Sequence, residues 1–159
     1  MEMTFTIEKK GDRDKVNFVG DINEDAEVHL NGIVGSLGMK ATFNLRGVTS
    51  VNSCGVRAWI NFMRDAEKNR DIIFEECTPE IVSQINMIPN FKGSAHIKSV
   101  YAGYACDSCE NQQWKLFEEG RNLPTTPDGG VEELKCPKCG EMMEMDEIED
   151  EFFGWLDVS

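Results

Sequence analysis

Four of the six cysteines fall in two Cys-x-x-Cys pairs, and this spacing is the strongest chemical signal in the chain. Cys106 and Cys109 form the first pair, Cys136 and Cys139 form the second, and 26 residues lie between the pairs. Each pair suits a tight turn that directs two sulfurs at one metal, and two such turns complete a tetrahedral site. Because four sulfurs leave no position for a water molecule, the pattern predicts one structural Zn²⁺ rather than a catalytic ion.

Iron is the alternative metal, since rubredoxin-like electron carriers hold it between two similar turns. Here Glu110 follows the first pair where those carriers have glycine, which favours zinc. Disulfides are the alternative in a secreted protein. The chain starts Met1-Glu2-Met3-Thr4, without a basic region followed by an apolar one, so we see no secretory signal. We therefore expect a cytoplasmic protein with reduced cysteines.

The residues around the cysteine pairs suggest how they are brought together. Trp114 to Phe117 is predicted as a strand, Pro124 to Gly130 as a turn-rich loop, and Val131 to Leu134 as a strand that returns antiparallel to the first. This arrangement predicts a small β-rich zinc ribbon. Fewer than ~60 residues bury little apolar surface, so the metal would supply much of the folding energy.

A second candidate site is the sequence Asn52-Ser53-Cys54-Gly55, a polar loop that precedes a predicted helix. Free N–H groups and the helix dipole favour a negative charge at a helix N-terminus. Ser53 is therefore a candidate for phosphorylation, and Cys54 is a candidate oxidisable thiol. The structural alternative is that Ser53 only caps the helix and Cys54 packs as a small apolar residue.

Alternating and helical patterns predict the elements that position these residues. Five strands are predicted, at 4–9, around Val16 and Phe18, at 40–45, 72–74 and 95–101. Three helices are predicted: one from an N-cap at Asn23 to Gly38, one from Ser53 to about Asn69, and one from Pro79 to before Pro89. The order β-β-α-β-α-β-α-β predicts an α/β fold whose mostly parallel sheet has an antiparallel edge strand.

Three segments of this pattern resemble the STAS family (sulfate transporter and anti-sigma factor antagonist domains). They are Asn44-Leu45-Arg46-Gly47-Val48, Asn52-Ser53-Cys54-Gly55 and Thr78-Pro79-Glu80-Ile81. The resemblance covers about residues 4–104, so we expect a STAS-like domain over 1–104 and a zinc ribbon with an acidic, aromatic tail over 105–159. In that family a strand ending in aspartate leads into a helix start of the form Asp-Ser-Ser/Thr-Gly. Here Asn52 replaces the aspartate, and Cys54 stands where the phosphorylated hydroxyl usually lies.

The resemblance implies a non-enzymatic regulatory module that binds another protein, like an anti-sigma factor antagonist. The partner implied is a kinase-type anti-sigma factor, which would bind the face around residues 52–55 and Asn23 to Ala26. The altered switch loop suggests regulation without phosphorylation or constitutive binding. Two alternatives stay open: a redox or electron-transfer protein with iron in the cysteine site and Cys54 as a thiol sensor, and a structural adaptor in a larger complex.

Charge narrows the choice of partners. Of the formal net charge of −13, residues 101–159 carry −11 and residues 1–100 carry −2. Such an acidic tail is repelled by phosphate backbones, so we expect no direct nucleic-acid partner. No apolar run approaches the ~20 residues of a membrane span, and no Gly-rich phosphate loop, Ser-His-Asp set or paired-carboxylate motif predicts an enzyme. The sequence leaves a homo-oligomer open.

The remaining polar and aromatic residues receive simpler interpretations. Cys77 follows an apolar strand and is predicted to be a buried thiol, whereas His29 and His96 are predicted at the surface. Phe152, Phe153 and Trp155 follow a run of acidic residues. These aromatic residues either dock on a partner or fold back on the first domain.

Overall fold

Two β-sheets organise the chain in a computed structural model that describes residues 1–157. The first sheet has five strands in the order β1-β2-β3-β4-β5, and only the β1–β2 pair is antiparallel. This confirms the expected mixed, mostly parallel sheet with one antiparallel edge strand. The strands are β1 Thr4–Lys10, β2 Arg13–Ile22, β3 Lys40–Val51, β4 Asp71–Glu75 and β5 His96–Ile97.

The second sheet is smaller and antiparallel, with the order β7-β6-β8. Its strands are β6 Ser99–Ala105, β7 Gln112–Glu118 and β8 Glu144–Met145. An isolated bridge between Cys77 and Val100 links the chain after β4 to β6, so the two sheets adjoin. The predicted strand at Trp114 to Phe117 is confirmed as part of β7.

Within residues 1–157, four α-helices cover the sheets: α1 Ala26–Asn31, α2 Ser53–Ala66, α3 Pro79–Met87 and α4 Glu149–Phe152. The main core lies between α2 and the first sheet, where Trp59 packs 5.2 Å from Phe18 and 6.2 Å from Phe43, between ring centroids. The Trp59 indole N–H donates to Phe91 O at 2.9 Å, so its single polar atom is satisfied within the core. None of the helices in the described part of the chain is both long and apolar enough to span a bilayer.

The helix predicted from Asn23 to Gly38 is shorter than expected. The α-helix ends at Asn31, and Val34–Ser36 continues as a separate 3₁₀ turn. Gly32 and Gly35 interrupt this stretch, and each glycine costs a helix about 1 kcal/mol relative to alanine. Asn23 is also not the N-cap: its side chain instead accepts from the Asp25 N–H at 3.0 Å, one turn before the helix.

The strand predicted at 95–101 is two strands in different sheets. His96–Ile97 pairs with β4, whereas Ser99 onward pairs with β7. The segment Ser99–Ala105 is buried almost throughout and therefore takes the central position of the second sheet. The prediction of a strand at Val131 to Leu134 was wrong, because these residues form no strand. Two adjacent glutamates make that segment a poor competitor for a buried position, although Leu134 O still accepts from Met143 N at 2.8 Å.

The aromatic tail folds back on the protein, which confirms the second of the two interpretations. Phe152, Phe153 and Trp155 are all buried. The Phe153 ring lies 5.5 Å from Phe117 of β7, and Asn86 of α3 donates to Phe152 O at 3.0 Å. These side chains therefore pack against α3 and the second sheet, and they are not exposed for contact with a partner.

Candidate functional site

The two Cys-x-x-Cys turns have the same backbone geometry. In the first, Cys106 N donates to Asn111 O at 2.8 Å, and Glu110 N donates to Cys106 O at 2.8 Å. In the second, the corresponding bonds are Cys136 N to Glu141 O at 2.7 Å and Gly140 N to Cys136 O at 2.9 Å. Each turn is therefore a complete knuckle that fixes its cysteine pair through backbone hydrogen bonds.

A left-handed residue closes each knuckle. Glu110 has φ +62° and Gly140 has φ +81°. Glycine adopts this conformation freely, whereas a residue with a Cβ pays a steric cost. The glutamate that distinguished the first pair from a rubredoxin-like turn therefore occupies the glycine position without changing the turn.

The four sulfurs converge on one point between the knuckles. The Sγ atoms of all four cysteines lie within 4.8 Å of one another, with Cys106 and Cys139 at 3.4 Å and Cys109 and Cys136 at 3.5 Å. Zinc–sulfur bonds of about 2.3 Å at tetrahedral angles place sulfurs about 3.8 Å apart, so the cluster fits one metal ion. The four-cysteine cluster can thus hold a metal, with Cys106 and Cys136 buried and Cys109 and Cys139 exposed.

One thiol of the cluster is already acidic. Burial works to raise the pKa of Cys136, but N–H groups of Cys139 and Lys138 and the neighbouring thiols outweigh it and lower the pKa to about 6. Metal binding requires thiolates, so this environment favours the ligand form of Cys136 near neutral pH.

The second candidate site lies where β3 passes into α2. Asn52 is the N-cap of α2, and its Oδ1 accepts from Gly55 N at 2.8 Å. The prediction that Ser53 caps the helix was therefore wrong. The prediction that Cys54 packs as a small apolar residue was also wrong, because Cys54 is exposed, as is Ser53. Both side chains are open to solvent at the first turn of the helix.

Asn52 also connects α2 to the segment before α1. Its Nδ2 donates to Glu24 Oε2 at 3.0 Å, and this bond lowers the pKa of Glu24. Gly55 sits directly against β2, so that a Cβ at this position would overlap Ile22 O. Residues 23–26 and 52–55 are therefore held next to each other.

A groove of about 360 Å³ opens on this face. It is lined by Ser53, Cys54, Ala58, Arg57, Asn61, Glu24 and Glu27. Arg57, Asn61 and Glu27 were not predicted from the sequence. Helical spacing carries the signal for the first two, since Arg57 follows Cys54 by three residues and Asn61 follows Arg57 by four.

A carboxylate anchors the far side of the same loop. The N-terminal ammonium at 2.6 Å and the hydroxyls of Thr49 and Ser50 lower the pKa of Asp21 to about 2. Thr49 and Ser50 both donate to Asp21, the latter at 2.8 Å. These hydroxyls therefore hold the end of β3 against β2.

Two of the three remaining candidates lie where the sequence predicted them, Cys77 in the interior and His96 at the surface. Cys77 is fully buried, and burial raises its pKa far above the ordinary thiol value. His96 is exposed and lies 2.5 Å from Glu119, and His29 is half-buried and lies 3.1 Å from Glu2. None of these three belongs to the groove or to the cysteine cluster.

Among solved structures, the chain is similar to anti-sigma factor antagonists. An antagonist from Mycobacterium paratuberculosis is 15% identical, with a TM-score of 0.50 over 60% of this chain and 86% of that chain. The antagonist SpoIIAA in its unphosphorylated form is 14% identical, with a TM-score of 0.45 over 59% and 87%. The first likeness shows that the chain has the fold expected from the STAS resemblance. No protein-family model and no curated protein matches the chain.

Proposed function

We propose that this chain is a cytoplasmic, non-enzymatic regulatory module that resembles anti-sigma factor antagonists and binds its protein partner through the switch face, residues 23–26 and 52–55. The observation that carries this proposal is the groove of about 360 Å³ at that face, into which the exposed Ser53 and Cys54 both open. The shared fold supports the class of function, and the open groove supports a site of contact.

The electrostatics of the groove favour regulation by partner binding over regulation by phosphate. A phosphoryl group on Ser53 adds about −1.5 to −2 charge at neutral pH. Glu24 and Glu27 line the same groove and oppose that charge, while Arg57 is the one cation of its lining. Asn52, unlike an aspartate, holds Glu24 in place without adding a further negative charge.

The partner that we propose is a kinase-type anti-sigma factor, and a matched pair of variants tests it. Arg57→Glu reverses a charge inside the groove, and Arg64→Glu makes the same change two turns along α2 outside it. We expect tagged wild type and Arg64→Glu to retain a partner from cells of the source organism that mass spectrometry identifies as a kinase-type anti-sigma factor. Arg57→Glu should lose it.

Two results would overturn this assignment. One is that wild type retains no such partner; the other is that the two arginine variants retain it equally. Intact mass of the protein from the same cells tests the phosphate separately, since one phosphoryl group adds about 80 mass units. A stoichiometric phosphate on Ser53 would contradict regulation by partner binding alone.

For the cysteine cluster we propose one structural Zn²⁺ held by Cys106, Cys109, Cys136 and Cys139. Zinc bound there closes the two knuckles on each other and contributes folding energy. The boundary between the two proposed units, residues 1–104 and 105–159, falls at the end of β6, whose pairing with β7 and β8 makes both units part of the second sheet. Native mass spectrometry identifies the metal, and a red protein would establish iron and favour the electron-transfer alternative.

A further inference from the structure

The outer face of the second sheet carries an exposed tryptophan beside a glycine. Trp114 of β7 is 50% exposed, and its cross-strand neighbour on β6 is Gly103. Both residues lie on the face of the sheet opposite to Phe117 and Phe153, because side chains alternate along a strand. Because Gly103 has no side chain, the space above it beside the indole ring is free for a group from the neighbouring strand.

The indole is held in place from one side. Its ring centroid lies 5.5 Å from the ring of Tyr101, and the guanidinium of Arg46 lies 5.2 Å above the Tyr101 ring. Arg46 donates to the Tyr101 hydroxyl at 2.7 Å, and that hydroxyl donates to Glu76 Oε1 at 2.9 Å. Trp114 is therefore the exposed end of an ordered stack whose own cation already has a carboxylate partner.

The carboxylate of Asp146 occupies the space above Gly103. Asp146 N donates to Gly103 O at 2.8 Å, and Asp146 Oδ2 lies 2.5 Å from the position that a Cβ on Gly103 would take. Asp146 thus reaches over Gly103 from the other edge of β6, on the same face of the sheet as Trp114. Strands are about 4.8 Å apart, so the backbones that carry Trp114 and Asp146 are about 10 Å apart across β6.

The unsatisfied charge on this face is negative. Glu144 and Asp146 are exposed, and within residues 1–157 neither carboxylate lies within ion-pair distance of a Lys, Arg or His nitrogen. A cation between Trp114 and Asp146 would gain the attraction of an aromatic ring and of at least one carboxylate. Tryptophan is also among the residue types that most often dominate the energy of protein interfaces.

We propose that Trp114, Gly103 and Asp146 form a subsite for one Lys or Arg side chain of a partner protein. This subsite lies on the second sheet, apart from the groove at residues 52–55, and it is independent of the switch-face proposal. It gives the C-terminal part of the chain a contact surface of its own. The charge of this surface, with Glu144 beside the subsite, selects a basic segment of the partner.

A synthetic peptide with three arginines separated by glycines tests the subsite in the full-length, metal-loaded protein. Trp59 and Trp155 are buried, so the indole N–H resonance of Trp114 should shift on titration while the other two stay in place. A peptide with citrulline in place of arginine keeps the size and removes the charge. It should leave the Trp114 resonance unchanged.

Four variants separate a local site from general attraction to an acidic protein. We expect Trp114→Ala and Asp146→Asn each to weaken binding of the arginine peptide by about fivefold, whereas Trp114→Phe, which keeps an aromatic face, retains most of the affinity. Asp128→Asn removes the same charge from a remote loop and should change the affinity by less than about twofold. The proposal is overturned if Asp128→Asn and Asp146→Asn weaken binding equally, if Trp114→Ala binds normally, or if the arginine peptide does not shift the Trp114 resonance.

Discussion

Asn52 bonds Glu24 and Gly55 at once, with its Nδ2 3.0 Å from Glu24 Oε2 and its Oδ1 2.8 Å from Gly55 N. An amide can serve both contacts because it carries a donor and an acceptor, whereas an ionised carboxylate is an acceptor alone. The STAS pattern has aspartate at this position. Asparagine suits this loop because Glu24, the residue that faces it, needs a hydrogen-bond donor.

This pairing predicts the effect of placing an aspartate, as in the STAS pattern, at position 52. Asn52→Asp keeps the cap on Gly55 N but places a carboxylate against Glu24, so we expect the pKa of Glu24 to rise above its wild-type value. NMR titration of the Glu24 side chain measures this directly. The destabilisation of Asn52→Asp should be present at neutral pH and should fade as pH drops below the pKa of the two carboxyls. Asn52→Ala serves as the control: it loses the cap, which should cost about 1 kcal/mol at every pH. It also loses the bond that lowers the pKa of Glu24 but adds no like charge, so a smaller part of its cost should fade in acid than for Asn52→Asp.

The contact between Gly55 and β2 makes a second prediction. A Cβ at position 55 would overlap Ile22 O, so Gly55→Ala must push α2 away from the strand. We expect a loss of about 2–3 kcal/mol in the free energy of unfolding, measured in urea. Gly32→Ala, at the end of α1 where a Cβ meets nothing within 4 Å, should be neutral or stabilise the protein by up to about 1 kcal/mol. Equal stability of the two variants would show that α2 does not contact β2 closely at Gly55.

The sequence could predict the first sheet because its strands and helices follow simple periodicities. Val16 and Phe18 alternate with polar residues in β2, and Thr78-Pro79 opens α3 with the expected cap, Thr78 Oγ1 accepting from Ile81 N at 3.3 Å. The second sheet was predictable only in part. Nothing local to residues 95–105 marks the point where the chain leaves β4 for β7, because both sides of Ser99–Ala105 are buried.

The candidate sites, like the two sheets, could be predicted from the sequence only in part. Cysteine spacing was enough to predict that the four cysteines come together, since each knuckle is a local structure. The partner of Asn52 lies 28 residues earlier in the chain, so pairing with Glu24 depends on the packing of α1 beside α2. Helical spacing could have predicted that Arg57 and Asn61 line the groove. It could not have predicted Glu27, which lines the same groove from the neighbouring helix α1.

The knuckles predict a gain from a single substitution. Glu110 holds φ +62°, where a non-glycine residue is strained, while Gly140 fills the equivalent position of the other knuckle. We expect Glu110→Gly to raise the stability of the metal-loaded protein by about 1 kcal/mol and to slow metal loss to a chelator. The reciprocal variant Gly140→Ala should lower stability by about the same amount. Chelator competition followed by urea unfolding measures both, and a loss on Glu110→Gly would mean that the glutamate side chain supports the site.

The β1–β2 hairpin carries a pH-dependent contact that does not involve either candidate site. Asp14 is 7% exposed, and its Oδ2 accepts from Gly38 N at 2.8 Å and from Lys9 Nζ at 3.0 Å. The Gly38 N–H and then Lys9 lower the pKa of Asp14 below its ordinary value of 3.8. A carboxyl with a lowered pKa stabilises the fold above its unfolded-state pKa, and this contribution is lost as pH falls through the folded-state pKa. Asp14→Asn should therefore be less stable than wild type at pH 7, and the difference should shrink below about pH 4. Urea unfolding of the two proteins between pH 7 and pH 3 checks this, and a difference that stays constant with pH would show that Asp14 acts as a neutral hydrogen-bond acceptor.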